Sequence, residues 1–481
     1  MQEVRTVQIA ENHGDMGCPQ ENRLETEGNA GAPSGASLQH MEESGAGALL
    51  ARVLDRDNLN RAYMQVKKNG GAPGIDGMTV DETLLFLRAH GGELAMSIAL
   101  GVYRPQPVRR VEIAKSDGSG MRQLGIPTVV DRVIQLAIAQ VLEPIFEPEF
   151  SDSSYGFRPN RNAHQAIRKA REYYEAGYTH VVDIDLEKYF DTVNHDLLIE
   201  MLREKVKDEQ LLSLIRKYLK SGVMKNGLVS ATQEGTPQGG NLSPLLSNIY
   251  LARFDRMLEA RGHKFVRYAD DCNIYVKSRR AAERVMSSCT EYLEKKLKLR
   301  VNRTKSQVGS PLKLKFLGFS LYKGKNGVRI RAHGKSLSRF KSKVREITRR
   351  NRGVSLEAIL MRLKMYARGW LGYYAIADMS KAMQRLNEWL RRRIRMYIWK
   401  QWKRVRTRYA NLRKLGVPHG KAYEWANTRK GYWRIAGSWI LDTTLTNARL
   451  ATLGYFDLSK CYEALHSNYQ TAVYGSVRTV V

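Results

Sequence analysis

Cysteine is scarce in this 481-residue sequence: Cys18, Cys272, Cys289 and Cys461 are widely spaced, and no two form a Cys-x-x-Cys pair. That argues against a zinc ribbon or a disulfide framework and fits a reducing cytoplasm. No apolar run approaches the roughly 20 residues of a membrane span, so no membrane partner is expected. The N-terminus has no basic stretch followed by an apolar one, so no signal peptide is read there. Acid is also short: 48 Asp and Glu face 79 Lys and Arg, a net charge of +31. Such a charge repels itself unless a polyanion neutralises it, and nucleic acid is the leading partner. A ribosomal-type or simply soluble basic protein is the competing reading. With 43% hydrophobic residues the chain can bury a sizeable core, and its length suggests roughly three domains.

Residues 1–48 are rich in Gly, Ala, Glu, Asn and Ser without hydrophobic period, which predicts a flexible tail. Order is expected from Leu49–Leu54, whose spacing suits an amphipathic helix. Gly71-Ala72-Pro73-Gly74-Ile75-Asp76-Gly77 breaks the chain, but no Gly-Lys-Ser/Thr follows, so it is not a phosphate-binding loop. Val111–Lys115 and Arg122–Ile126 alternate as strands around a Ser116–Gly120 turn, a hairpin signature. Asp131–Phe146 has helical spacing. Beyond about 335 strands fade into basic helices, among them Trp389–Arg395 and Trp402–Arg408.

The chemistry concentrates in carboxylates. His180–Leu186 reads as a buried strand, with Val182, Ile184 and Leu186 on one face and Asp183 and Asp185 on the other. Two carboxylates on one face are costly unless something positive sits there. A second strand pair, Lys264–Tyr268 and Cys272–Val276, brackets Ala269-Asp270-Asp271, which lifts two adjacent carboxylates to a hairpin tip. Such a tip set against Asp185 forms a three-carboxylate pocket suited to two hard divalent cations, typically Mg²⁺. Two metals about 4 Å apart can activate a 3′-hydroxyl and stabilise leaving pyrophosphate. A lone Asp-Asp turn would be bland; the flanking strands and the matching strand carboxylate make it a candidate metal site.

These residues resemble a known family. Tyr268-Ala269-Asp270-Asp271 resembles the catalytic box of reverse transcriptases, and the ordered set resembles the reverse transcriptase/maturase proteins of bacterial group II introns. The other matching blocks are Gly71–Gly77, Arg122–Pro127, Tyr155-Gly156-Phe157-Arg158-Pro159, Asp185–Asp191, Gly235-Thr236-Pro237-Gln238-Gly239-Gly240, Phe316–Phe319 and Gly369–Tyr374. The resemblance implies metal ligands at Asp185, Asp270 and Asp271, with Asp183 a neighbour. It implies that Lys115 and Arg122 grip the incoming triphosphate, with Gln238 beside nucleotide and template and Lys305 reaching the triphosphate. An aromatic gate against the ribose 2′-hydroxyl is implied at Tyr189, the preferred candidate, or Phe190. Arg158 is expected on the template.

The implied fold is α/β (α+β): a right-hand polymerase with fingers, an antiparallel-sheet palm and a helical thumb. Residues 49–105 would be an N-terminal extension, 106–332 fingers and palm, 333–410 the maturase (X) region and thumb, and 411–481 a basic DNA-binding region. Arg391, Arg392, Arg393, Lys403, Arg404 and Arg406 are the candidate RNA contacts, because Lys and Arg hold phosphates without reading sequence. Tyr373, Tyr374, Trp399 and Trp402 are candidates either for base stacking or for helix packing, packing being favoured for most. The region after 411 lacks the Cys pairs and His-Asn-His centre that many relatives carry, so no endonuclease is expected. It resembles the endonuclease-less subgroup C type. The expected activity is copying RNA into DNA with Mg²⁺ and dNTPs. The expected partners are group II intron RNA, a template with a DNA or RNA primer, and target DNA. The rivals are a non-catalytic RNA-binding splicing factor and a reverse transcriptase domesticated for defence or repair.

Overall fold

A computed structural model describes residues 47–114, 120–225, 228–230, 234–235, 239–325, 327–351 and 353–475. Residues 1–46 of the predicted tail, Lys115 and Gln238 lie outside them, and a first helix, Ala48–Leu54, begins at the tail's expected end. The strands are β1 (Val108–Ala114), β2 (Met121–Ile126), β3 (His180–Ile184), β4 (Val223–Lys225), β5 (Leu228–Ser230), β6 (Lys264–Tyr268), β7 (Asp271–Val276), β8 (Gln307–Gly309), β9 (Phe319–Gly324) and β10 (Gly327–Ala332). The chain divides into two compact units, Met1–Pro311 and Leu312–Val481.

In the first unit, β1 and β2 form the expected antiparallel hairpin, with Ile113 opposite Arg122, in a sheet ordered β2-β1-β4-β5. A second sheet, ordered β6-β7-β3-β8, is antiparallel throughout and has the form of the expected palm. Helix Val129–Phe146 buries Val133, Ile134, Ala137, Ile138, Val141 and Leu142, a 3-4 spacing that keeps one stripe inward. Its start is fixed by Thr128, whose hydroxyl accepts from the Asp131 N–H. Helix Ser243–Ala260 is buried along nearly its whole length, including Asn248 and Asp255. Those two polar residues are seven apart and share a face, which matters for the site.

The second unit holds the β9–β10 hairpin and a set of helices, chiefly Gly334–Ile347, Leu356–Tyr374, Ser380–Gln401, Val405–Lys414 and Leu458–Gly475. Phe340, Leu371, Ile394 and Trp399 form part of its core. Asp378 ties the hairpin to the helices: its N–H donates to Ile330 O, and its carboxylate accepts from Tyr322 at 2.7 Å and Arg329 at 2.6 Å. The boundary expected at 332 thus falls inside this unit, because the hairpin is bonded to the helices that follow it. The helix expected over Trp402–Arg408 is interrupted: Trp402 leaves helical geometry at ψ 55°, and a new helix starts at Val405. Among the described residues no helix is long and apolar enough to cross a membrane.

Candidate active site

The tip of the β6–β7 hairpin is a two-residue turn, Ala269-Asp270, closed by the pair Tyr268 and Asp271. Ala269 adopts φ 57°, a left-handed conformation that costs an L-residue about 1 kcal/mol or more. The surroundings over-determine that turn. Arg267, fully buried on β6, donates to the Ala269 carbonyl at 2.9 Å and to Asn248 Oδ1 at 3.0 Å. Its other nitrogens chelate Asp255, Nε at 2.8 and 3.0 Å and Nη2 at 2.5 Å. Asn248 in turn donates to Gly156 O at 2.9 Å. Gly156 lies flat against the turn, where a Cβ would overlap the Ala269 backbone nitrogen. Tyr155 N–H donates to Arg267 O, and Arg267 N–H donates to Ser153 O. The Tyr155–Pro159 block is therefore a backbone clamp on the carboxylate turn.

Asp185 follows β3, one residue beyond the Ile184–Cys272 pair, so the antiparallel register carries it toward the same tip. Its backbone is held from both sides: its N–H donates to Ser306 Oγ at 3.0 Å, and its carbonyl accepts from Asn302 N–H at 2.9 Å. Burial raises the Asp270 carboxyl above its ordinary value, the Asp185 charge adds to the rise, and Arg122 and Arg267 oppose it. Two ligands of the expected trio thus feel each other, and the Arg122 charge on β2 acts on Asp270 in the opposite sense. Lys305 Nζ stands 3.7 Å from Asp185 Oδ1, so this expected cation also reaches the site.

Asp271 differs. It is exposed at the first position of β7, and among the described residues no three acidic, His or Cys side chains converge closely enough to hold one ion. The donor set fits a hard divalent cation nonetheless. It consists of carboxylate oxygens, one of them forced upward by burial and by like charge, which a cation at that point would reverse.

Other expectations need correction. Tyr189, the preferred gate, is buried with its hydroxyl donating to Ser247 O at 3.0 Å, and burial pushes its phenol well up. It is core. Phe190 is the half-buried ring of the pair, 5.3 Å from Tyr189 between centroids. Gly235 packs on this segment, where a Cβ would stand 2.8 Å from Phe190 O and Asp191 Cα. Gly239 packs likewise on Gly125 O of β2. Gly235 and Gly239 therefore touch the Phe190 segment and the β1–β2 hairpin respectively.

Arg158 does not face a template. It is buried, its guanidinium bonded to the Glu147 carboxylate at 2.8–3.2 Å and to the Ser151 and Ser154 carbonyls, so all its donors serve the fold. The Arg391–Arg393 run is also largely engaged internally. Arg391 lies 3.8 Å from Asp457, Arg392 donates to Trp433 O and stacks 4.1 Å over its ring, and Arg393 donates to Thr348 Oγ1. Lys403, Arg404 and Arg406, by contrast, are exposed. Of the four aromatics, Tyr373 donates to Leu317 O, Tyr374 closes over Gly318, and Trp399 is buried, so these three pack rather than stack on bases.

Sequence reasoning missed the Arg267–Asp255–Asn248–Gly156 brace. Its signals were present: an Arg inside an apolar strand, and Asn248 and Asp255 seven apart on one face of a helix.

Comparison with known proteins identifies the family. Residues 113–321 match the family "Reverse transcriptase (RNA-dependent DNA polymerase)", and residues 337–416 match "Group II intron, maturase-specific domain". The chain is 37% identical over 286 residues to Protein YkfC of Escherichia coli, covering 50% of this chain and 73% of that protein. It is 41% identical over 206 residues to the group II intron-encoded protein LtrA of Lactococcus lactis, covering 43% of this chain and 34% of LtrA. Among solved structures, a partial Cas6-RT-Cas1–Cas2 complex aligns with TM-score 0.34 and 23% identity over 51% of this chain and 42% of that one.

Proposed function

The chain belongs to the group II intron-encoded reverse transcriptase/maturase family and carries the domain of an RNA-directed DNA polymerase, and on that premise we propose that it copies its intron RNA into DNA and binds the same RNA to assist splicing and retrohoming. The observation that carries the reading is Asp270 held beside Asp185 on a turn that Arg267 fixes from below. Asp185 and Asp270, with Asp271 at the rim, are the residues that would hold divalent cations, Mg²⁺ in our reading. Bound there, the ions would supply activation of the primer 3′-hydroxyl and neutralise charge on the leaving pyrophosphate.

The chain's own residues do the positioning. Arg122, Lys305 and, by resemblance, Lys115 offset the triphosphate charge as it shifts to pyrophosphate. Phe190 borders the sugar and disfavours a 2′-hydroxyl. Gln238 belongs, by resemblance, beside nucleotide and template. The rigid turn presents the carboxylates without rearrangement, and positioning together with electrostatic stabilisation is what phosphoryl transfer needs from a protein. Lys403, Arg404 and Arg406 offer phosphate contacts to RNA or to the primer–template duplex. In this reading residues 49–105 extend the fingers, the second unit supplies thumb and maturase surface, and the basic region beyond 411 meets target DNA.

The test is primer extension with dNTPs and Mg²⁺ on RNA and DNA templates, paired with a splicing assay on the cognate intron. Asp270→Asn should abolish extension and leave RNA binding and splicing assistance near wild type. DNA synthesis retained by that variant would sink the ligand assignment. Absence of extension by the unmodified chain, with splicing intact, would favour the splicing-factor reading.

A further inference from the structure

The palm sheet carries a second concave surface, at the end of the β6–β7 hairpin away from the carboxylate turn. A cavity of about 500 Å³ opens between the start of β6, the end of β7, the first turns of helix Arg279–Lys295 and Tyr178. Lys264 pairs with Tyr275 there, four positions from Tyr268, which at about 3.3 Å per residue sets it roughly 13 Å from the turn. Its floor is apolar and aromatic: Tyr275 and Val285 are buried, and Tyr178 presents a half-exposed ring. Its rim is cationic: Lys264, Lys277 and Arg284 are all exposed, and Lys277 Nζ stands 5.6 Å from the Tyr178 ring centroid. Among the described residues no Asp or Glu lines it.

That last point separates it from two other cavities in the molecule. One, in the second unit, mixes arginines with Glu388 and Asp442; the other mixes Lys205, Arg253 and Arg256 with Glu149 and Glu204. Those cavities neutralise themselves. The acid-free one leaves its cations available, and a concave low-dielectric wall focuses their field on an anion. An anion alone would not need the aromatic floor. A planar ring joined to a phosphate satisfies both halves.

We propose that this cavity is a nucleotide-binding site separate from the polymerase centre, taking a base against Tyr178 and its phosphate on Lys277 and Arg284. Stacking on a tyrosine face accepts any base, so the site is not sequence-selective. The nucleotide comes either free or as one unit of a single RNA strand passing behind the palm.

The test uses the full chain in EDTA with a 4-thiouridine-containing octaribonucleotide, photocrosslinked and mapped by peptide mass. Crosslinks are expected at Tyr178 or within 262–288, with a yield that saturates and so gives a site-specific Kd. Tyr178→Ala should weaken that Kd by about 5- to 150-fold, the usual range for removal of one stacking ring, and Tyr178→Phe should retain it. Lys277→Glu with Arg284→Glu should lower the slope of log affinity against log salt by about 0.7, the single-strand value for the one phosphate that the two cations share. Primer extension on a short template should be unchanged in all three, which checks folding. Loss of the crosslink to excess AMP supports a free nucleotide; loss only to unlabelled octamer supports a strand. Absence of crosslinks in these peptides, or yields indifferent to the variants, overturns the proposal.

Discussion

Arg267→Met removes a buried guanidinium and leaves Asp255 unpaired where both residues are wholly shielded from water. Breaking a buried pair by deleting one partner costs about 3–5 kcal/mol. The Ala269 carbonyl and Asn248 Oδ1 lose their charged donor as well, at about 1.5–3 kcal/mol each as an upper range. Part of that overlaps with the pair, so about 4–6 kcal/mol is the expected total by urea denaturation. Arg267→Met combined with Asp255→Leu replaces both charges by apolar groups of useful volume and should recover most of the stability. It should not recover turnover. Ala269 would still lack its donor, and a displacement near 1 Å at Asp270 costs on the order of 100-fold in rate. Single-nucleotide incorporation under saturating template–primer reads that rate, and fluorescence anisotropy reads template–primer affinity, expected near wild type. Wild-type turnover in the stabilised double variant would refute the idea that the brace positions the carboxylate.

Three further outcomes are expected. Asp270 has a raised carboxyl in the folded state, so its contribution favours folding at low pH and is lost as pH climbs from the ordinary carboxylate value through the raised one. Asp270→Asn should therefore gain stability over wild type near pH 7 in EDTA and no longer gain from added Mg²⁺; a destabilised variant would contradict the repulsion argument. Phe190→Ala should admit rNTPs at the expense of dNTP selectivity, whereas Tyr189→Phe should cost only about 1 kcal/mol of stability and leave selectivity alone; steady-state incorporation ratios check this. Reversing Lys403, Arg404 and Arg406 to Glu should flatten the salt dependence of duplex binding by up to about 0.9 for each phosphate no longer neutralised, while Arg158→Gln should leave the slope unchanged and lower stability instead.

Much of this was legible in the sequence because strand alternation and turn chemistry are local. The β1–β2 and β6–β7 hairpins and the inward face of β3 follow from period-2 patterning, and the register then delivers Asp185 to the tip that carries Asp270 and Asp271. What sequence could not separate was which of two neighbouring groups faces the pocket. Tyr189 and Phe190 are equally aromatic, and only the packing of helix Ser243–Ala260, which supplies the Ser247 acceptor, draws one inward. Arg158 and the Arg391–Arg393 run misled for a related reason. A cation looks like a phosphate ligand until its own carbonyl and carboxylate partners, some of them distant in the chain, are visible. Resemblance marked the blocks holding Gly156, Gly235 and Gly239 but not the purpose of these glycines, which is backbone clearance.

The Asp378 tie has a practical consequence for dissecting the molecule. A fragment begun at residue 333 would discard β9 and β10 and strand Asp378 without Tyr322, Arg329 and the Ile330 carbonyl, and would strip Tyr373 and Tyr374 of the Leu317–Gly318 segment they close over. The natural cut lies after Pro311, where the first compact unit ends and the second begins. A maturase fragment made there keeps its own first hairpin as a lid on its helices, and comparing soluble yield from the two start sites would show how far that lid governs folding.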